Sequence, residues 1–329
     1  MSGSRATSKW VSCVIGLGFG LGLLASAAAA DEFPSRPVKI VMGFGAGGLG
    51  DTAGRAIAQQ MSGSLGKPVI IENMPGAGGS TAAASVARAP ADGHTMLWVS
   101  GQNAIAPSMF KSLPYNWNTD LTPISAVGSF AFVLVVKADS PLKTVHDVIE
   151  AAKKNPDKFN IACISAGSAQ HLNALYFSSL AGIKVPTVHF RTTGEVVAAL
   201  IAGNVQVGME TLPGVIGQIN SGVLRAIAVS TETRVPSLPN VPTAAESGVP
   251  GYKVISWNGI VAPAKTPHDI VMRLNRELTK AIASDEVRNR FASINLDPVT
   301  STPEELQKIY QADLVRWRKV IADAKLGQQ

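Results

Sequence analysis

Apolar, β-prone runs alternate with helix-period segments along this chain, and the alternation starts twice; no other feature constrains the fold as much. In the first set Val38 to Phe44 reads as a strand. Asp51 to Leu65 then places Ala53, Ile57, Met61 and Leu65 on one helical face, closed by Gly66 and Pro68. Val69 to Glu72, Ser80 to Ala89 stopped by Pro90, and Thr95 to Ser100 continue as strand, helix and strand. Such a succession predicts a parallel, doubly wound sheet.

The apolar run Pro123 to Lys137 is long enough to cross from one lobe to another, and a second set follows it. Thr144 and Asp147 are spaced as a capping box for a helix that ends at Asn155-Pro156. Strands are expected at Phe159 to Cys163, Val185 to Phe190, Val205 to Met209 and Leu224 to Ser230. Helices are expected at Ser168 to Leu180 and at Glu195 to Ala202, the latter ended by Gly203. Residues 231–251 are rich in Pro, Thr, Ser and Gly, and Tyr252 to Ala262 is strand-like again, so the chain crosses back there. Helices at Pro267 to Ala283, Asp285 to Ala292 and Pro303 to Ala324 complete the chain. Two crossings imply an α/β protein of two doubly wound lobes joined by two strands. Residues 31–130 with 252–329 make lobe I, residues 131–251 lobe II, and the cleft between them is the expected ligand site.

Ahead of the first strand, Arg5 and Lys9 precede an uncharged run from Trp10 to Ala30 that ends with Ala28 and Ala30 in an A-x-A arrangement. This reads as a signal peptide over residues 1–30 and as export. A spanning helix needs about 20 strongly apolar residues, and Gly16, Gly18, Gly20 and Gly22 interrupt this run. Cys13 stands before the apolar stretch, the wrong side for lipid attachment. Removal of Arg5 and Lys9 takes the formal charge from +6 to +4. That balance suits an anionic small ligand and offers no Lys/Arg run for nucleic acid or a membrane surface. Cys163 then stands alone, so no internal disulfide forms, and it reads as a buried apolar residue. His94, His146, His171, His189 and His268 show no metal-ligand spacing.

The most conspicuous motif is Gly43-Phe44-Gly45-Ala46-Gly47-Gly48-Leu49-Gly50-Asp51, between the first strand and the first helix. It fits G-x-G-x-x-G twice, and Glu72 ends the next strand, so the competing reading is an NAD-dependent oxidoreductase using the Gly43–Gly50 loop. Export away from the soluble nicotinamide pool argues against it. A second glycine-rich turn, Asn73-Met74-Pro75-Gly76-Ala77-Gly78-Gly79-Ser80, also follows Glu72 at once. Backbone N–H groups and the positive end of a helix dipole bind carboxylates as they bind phosphates, so the two turns read as lips around one anion. Asp51 is either an N-cap or a ligand contact. In the second lobe Ser165-Ala166-Gly167-Ser168 precedes a helix bearing His171, and Thr192-Thr193-Gly194 precedes another. A hydrolase reading fails because Cys163-Ile164-Ser165-Ala166-Gly167 lacks the leading glycine of a nucleophile elbow. Glu210, ending its strand, is expected in the cleft, free to accept from a ligand or to pair with Arg191. Trp257 is a core residue.

Together these segments resemble the substrate-binding receptors of tripartite tricarboxylate transporters, the Bug or TctC-like family. The resemblance rests on Ala46-Gly47-Gly48 with Asp51, the Asn73 to Gly79 turn, Ala91-Asp92-Gly93-His94-Thr95, Leu121-Thr122-Pro123-Ile124, Gly167-Ser168 with His171-Leu172, and Trp257, Gly259 and Ala262-Pro263. It implies a type II periplasmic-binding-protein (Venus flytrap) fold, no cofactor, no catalysis, and delivery of a small carboxylate to a two-component membrane permease by a periplasmic receptor acting as a monomer. It also implies which residues bind: Phe44, Ala46, Gly47, Gly48, Asp51, Gly76, Ala77, Gly78 and Ser100 from lobe I, then Ser165, Ser168, His171, Thr192, Thr193, Gly194 and Glu210 from lobe II. The chain departs from the family pattern at Gly43-Phe44-Gly45, at Glu210 where aspartate is usual, and at Asn258. The expected ligand is an aromatic acid or a short dicarboxylate, captured by closure of the lobes and presented to a permease or to a signalling partner.

Overall fold

The computed structural model describes residues 33–327. The expected signal peptide, Cys13 included, lies outside the described residues. Lobe I opens with β1 (Val38–Met42), α1 (Leu49–Leu65), β2 (Val69–Asn73), α2 (Ser80–Ala87), β3 (Thr95–Ser100), α3 (Gln102–Met109) and the one-turn α4 (Trp117–Asp120). The crossing strand β4 runs from Leu121 to Lys137, 17 residues. Lobe II follows as α5 (Val145–Lys154), β5 (Ile161–Ile164), α6 (Ala169–Leu180), β6 (Thr187–Phe190), α7 (Thr193–Ile201), β7 (Val207–Thr211), α8 (Leu212–Asn220) and β8 (Leu224–Val229). The chain returns through β9 (Ile255–Pro263) and finishes with α9 (His268–Ala283), α10 (Asp285–Ser293), the two-residue β10 (Asp297–Pro298) and α11 (Pro303–Asp323).

The strand pairing shows one scheme used twice. In lobe I the order is β2-β1-β3-β9-β4, with β1 parallel to β2 and β3 and with β9 antiparallel between β3 and β4. In lobe II it is β6-β5-β7-β4-β8, with β5 parallel to its neighbours and β4 antiparallel between β7 and β8. Each lobe therefore holds one antiparallel strand that arrives from the other lobe. Strand β4 pairs with β9 as far as Ala131 and with β7 and β8 from Phe132 onward, so a single strand belongs to both sheets. This is the two-lobed periplasmic-binding-protein architecture. Its antiparallel insertion distinguishes it from the all-parallel order of a dinucleotide fold.

Local chemistry sets the elements. The Thr144–Asp147 capping box forms as expected, the Asp147 N–H donating to Thr144 Oγ1 at 3.1 Å and the Thr144 N–H to the Asp147 carboxylate at 3.0 Å. Ile57, Met61 and Leu65 of α1 are buried against β1 and β3, in a core that also takes Leu274 and Leu278 of α9. Each such side chain stabilises the fold by about 1.5–3 kcal/mol. A second, larger core joins aliphatic side chains of both sheets to the buried aromatics Tyr252, Trp257 and Trp317. Among the described residues no helix is long and apolar enough to cross a membrane, and no group of three or more His, Cys, Asp or Glu is placed to hold a metal ion.

Candidate functional site

The first glycine-rich turn carries the chain from β1 into α1. Gly48, just before the helix, is extended and supplies no side-chain cap. The N–H groups at the positive end of a 17-residue helix are thus left without the usual side-chain acceptor. Gly47 takes φ +86°, a conformation that strains any side chain. Asp51 is not the N-cap, which corrects the capping half of the expectation: it is the third helical residue, and its carboxylate reaches back to accept the Gly47 N–H at 3.0 Å. Arg55 holds the same carboxylate through two hydrogen bonds of 2.9 and 3.0 Å, and the Asn73 amide donates to it at 3.0 Å. The Arg55 guanidinium is the leading cause that pulls the Asp51 carboxyl down to about 2, against its burial. Asn73 also donates to the Phe44 carbonyl at 3.2 Å, tying the end of β2 to the first turn.

The second turn, Asn73 to Ser80, packs against the first. Gly76, Ala77, Gly78 and Gly79 all have positive φ, and the resulting tight turn packs against Gly43. A Cβ on Gly43 would stand 2.5 Å from the Gly79 Cα. The two turns thus form one double layer, and Pro75 to Gly78 of the second are exposed.

The first turn is one wall of a cavity of about 350 Å3. The start of α1 contributes Phe44, Gly48, Leu49 and Gly50, and the start of α3 contributes Ser100, Gly101 and Gln102. Ala169 brings the start of α6 from lobe II, and Phe130, Phe132 and Val254 to Ser256 bring the two crossing segments. Asn258 of β9, with Asp313 and Trp317 of α11, closes the back. Three helix N-termini therefore meet at one space with largely apolar walls. The Asn258 side chain accepts from the Trp98 indole at 3.1 Å, while its Nδ2 is buried without a hydrogen-bond partner. Asp313 is buried, accepting from Trp257 Nε1 at 2.8 Å and from Arg316 at 2.7 Å. Burial pushes its carboxyl pKa up, with Arg316 opposing.

Of the expected lobe I residues, Phe44, Gly48 and Ser100 line the cavity; Ala46, Gly47 and Asp51 shape the turn, and Gly76, Ala77 and Gly78 lie exposed in the second turn, outside the lining of this cavity. The expected lobe II residues gather at the starts of α6 and α7, with Glu210 near the end of β7; none of them lines this cavity, but Ser168 immediately precedes Ala169, which does. Ser168 caps α6, accepting from the His171 N–H at 3.1 Å and donating to the Ile164 carbonyl at 2.6 Å. The His171 ring accepts the Gly167 N–H on Nδ1 at 3.0 Å and lies edge-on to His189. Burial, helped by His189, brings the His171 pKa down to about 4, so the ring is neutral. Ser165 sits at φ +27° in the same turn, and a Cβ on Gly167 would stand 2.7 Å from Met109 Cε at the end of α3. Thr192 caps α7, and Gly194 lies in its first turn. Glu210 is fully buried, accepts from Thr193 Oγ1 at 2.9 Å, and is raised in pKa by that burial. Arg191 is its neighbour in sequence patterning only, since it pairs with Glu195 at 3.5 Å. Glu72, the acid of the dinucleotide reading, pairs with Lys39 at 2.6 Å.

Sequence reasoning missed Gln102, Phe130, Phe132 and Asp313. The last had a visible signal: it stands three residues after Tyr310 and four before Trp317, a charge inside the apolar stripe of α11.

The profile described as tripartite tricarboxylate transporter family receptor matches residues 53–326. The chain is 32% identical over 312 residues to Protein BugT of Bordetella pertussis, covering 94% of this chain and 96% of that one. Among solved structures it is similar to the periplasmic binding protein BugD, at a TM-score of 0.75 and 31% identity over 90% of this chain and all (100%) of that one. It is likewise similar to R. palustris Rpa4515 with adipate, at a TM-score of 0.78 and 30% identity over 91% and 100% of the two chains.

Proposed function

Because the chain belongs to the tripartite tricarboxylate transporter receptor family, we propose that it is a periplasmic receptor that captures a small organic carboxylate between its lobes and delivers it to a two-component membrane permease of the tripartite tricarboxylate type. The observation that carries this reading is the uncapped N-terminus of α1 on the cavity wall, facing the start of α3. Such ends bind anions through free N–H groups and the helix dipole, each hydrogen bond to a charged ligand contributing about 1.5–3 kcal/mol. The neighbour solved with adipate supports the carboxylate class.

In this reading residues 1–30 direct export, residues 31–130 with 252–329 form lobe I, and residues 131–251 form lobe II. The change of partners on β4 at Ala131 and Phe132 supports that division. Carboxylate binds first to lobe I. Lobe II then closes, bringing the α6 and α7 turns with Ser165, Ser168, His171 and Thr192 to Gly194 over the ligand, and the closed monomer is the form the permease recognises. No cofactor or bond-making step takes part.

A thermal-shift screen against aliphatic and aromatic mono- and dicarboxylic acids, with NAD and NADP included, tests the reading. A ligand at 100 times its Kd stabilises the fold by about 2.7 kcal/mol. A shift with carboxylates is the expected result; a shift with NAD alone would replace capture with a dinucleotide site at Gly43–Gly50.

A further inference from the structure

Among the described residues the walls of the cavity hold no lysine, arginine or histidine, and Asp313 is the one acidic residue on them. Arg316 binds Asp313 from outside the cavity, so the group presented to a ligand is the carboxylate. The uncapped start of α1 supplies countercharge for one ligand carboxylate, while at the start of α3 the Ser100, Gly101 and Gln102 N–H groups are already paired within the protein. The buried, unpartnered Asn258 Nδ2 adds a neutral donor on the same wall. Most of the remaining contact surface is apolar, from Phe44, Leu49, Ile105, Phe130, Phe132 and Trp317. A second ligand carboxylate would find no cation among the described lining residues and would meet the Asp313 carboxylate, already held by Trp257 and Arg316; a buried charge without a partner is strongly disfavoured.

We infer that the cavity selects monocarboxylates with an apolar or aromatic body over dicarboxylates of the same length, and that Asp313 is the residue that turns the second carboxylate away. This rests on the carboxylate-capture reading and narrows it. One end of the ligand sits on the start of α1, and its body lies against the phenylalanine rings, where ring pairs gain from offset or edge-on contact. The selectivity separates this chain from its structural neighbour with adipate, a six-carbon diacid.

Titration calorimetry on the purified protein with matched acids, benzoate against terephthalate and hexanoate against adipate, measures the effect directly. Each monoacid is expected to bind at least about tenfold more tightly than its diacid, a difference of about 1.4 kcal/mol. In Asp313→Asn, which keeps an acceptor for Trp257, the diacids are expected to gain about threefold or more and the ratio to shrink. Diacids that bind the wild-type protein as tightly as the monoacids overturn the selectivity and leave capture standing; this comparison needs no variant. An unchanged ratio in a folded Asp313→Asn protein overturns the role of Asp313. If none of these acids, nor any of the wider panel, binds, capture itself fails and the selectivity with it.

Discussion

The Ser230 hydroxyl donates to the Val254 carbonyl at 2.6 Å, and the Val254 N–H returns to the Ser230 carbonyl at 2.8 Å. The same hydroxyl accepts the Phe132 N–H at 2.9 Å. Ser230 thus clamps the outgoing and returning crossings together, at the two residues, Phe132 and Val254, that also line the cavity. Ser230→Ala leaves a buried N–H and a buried carbonyl short of a partner, at a cost of about 1–3 kcal/mol. The urea midpoint should fall accordingly; an unchanged midpoint would mean that the backbone relaxes enough to re-pair both groups.

Gly43 packs backbone to backbone against Gly79 because Gly43 has no side chain. A methyl on Gly43 must push the two glycine-rich turns apart, since the opposing atom is backbone and cannot rotate away. Gly43→Ala should destabilise the protein by about 1–3 kcal/mol. It should also weaken carboxylate binding through displacement of the α1 start. Calorimetry and denaturation on the same variant separate the two effects, and wild-type affinity would show that the double layer does not position the cavity wall.

Asp51 links acid sensitivity to the same turn. Its folded pKa of about 2 lies below the unfolded value of 3.8, so the unfolded chain binds the proton more readily. The stabilisation is complete above pH 4 and is lost as the pH falls through about 2. The shift corresponds to about 2 kcal/mol. Asp51→Asn should remove that amount at pH 7 and little at pH 2. A stability gap that stays constant between those pH values would mean that the ion pair with Arg55 is not its source.

The alternation that defines both lobes was legible because strands and helices carry different apolar periods, and most expected elements end within two residues of the observed ones. Two helices on the path were not. Pro107 inside α3 and Pro213, Gly214 and Gly217 of α8 weaken the helical signal, and those segments carried no assignment, yet tertiary burial of Ile105 and Met109, and of Val215 and Ile216, holds those helices. The anion-binding turn before α1 was visible as glycine spacing. The rest of the cavity was not, because Phe130, Phe132 and Asp313 come from segments nearly 200 residues apart and meet only through the shared strand β4 and the docking of α11. Charge pairing was the least readable part: Glu210 and Arg191 are spaced for contact, but the turn into α7 gives Arg191 to Glu195 and leaves Glu210 with Thr193.

His171 supplies a second pH window. Its Nδ1 accepts the Gly167 N–H, a bond that protonation of that nitrogen would break, and burial beside His189 holds its pKa near about 4 against 6.5 for an unperturbed ring. Below pH 6.5 the unfolded chain takes up a proton that the folded chain refuses. Stability should therefore decline from pH 6.5 toward pH 4 and level off below it, by on the order of 2–3 kcal/mol. His171→Gln removes the titrating ring. The variant should flatten this part of the stability profile while lowering stability at pH 7, where the neutral ring holds the Ser165–Ser168 turn. Since that turn touches Met109 at the end of α3, loosening it also predicts faster ligand release in stopped-flow displacement. An equal pH slope in wild type and variant would assign the window to another group and leave His171 as a packing residue.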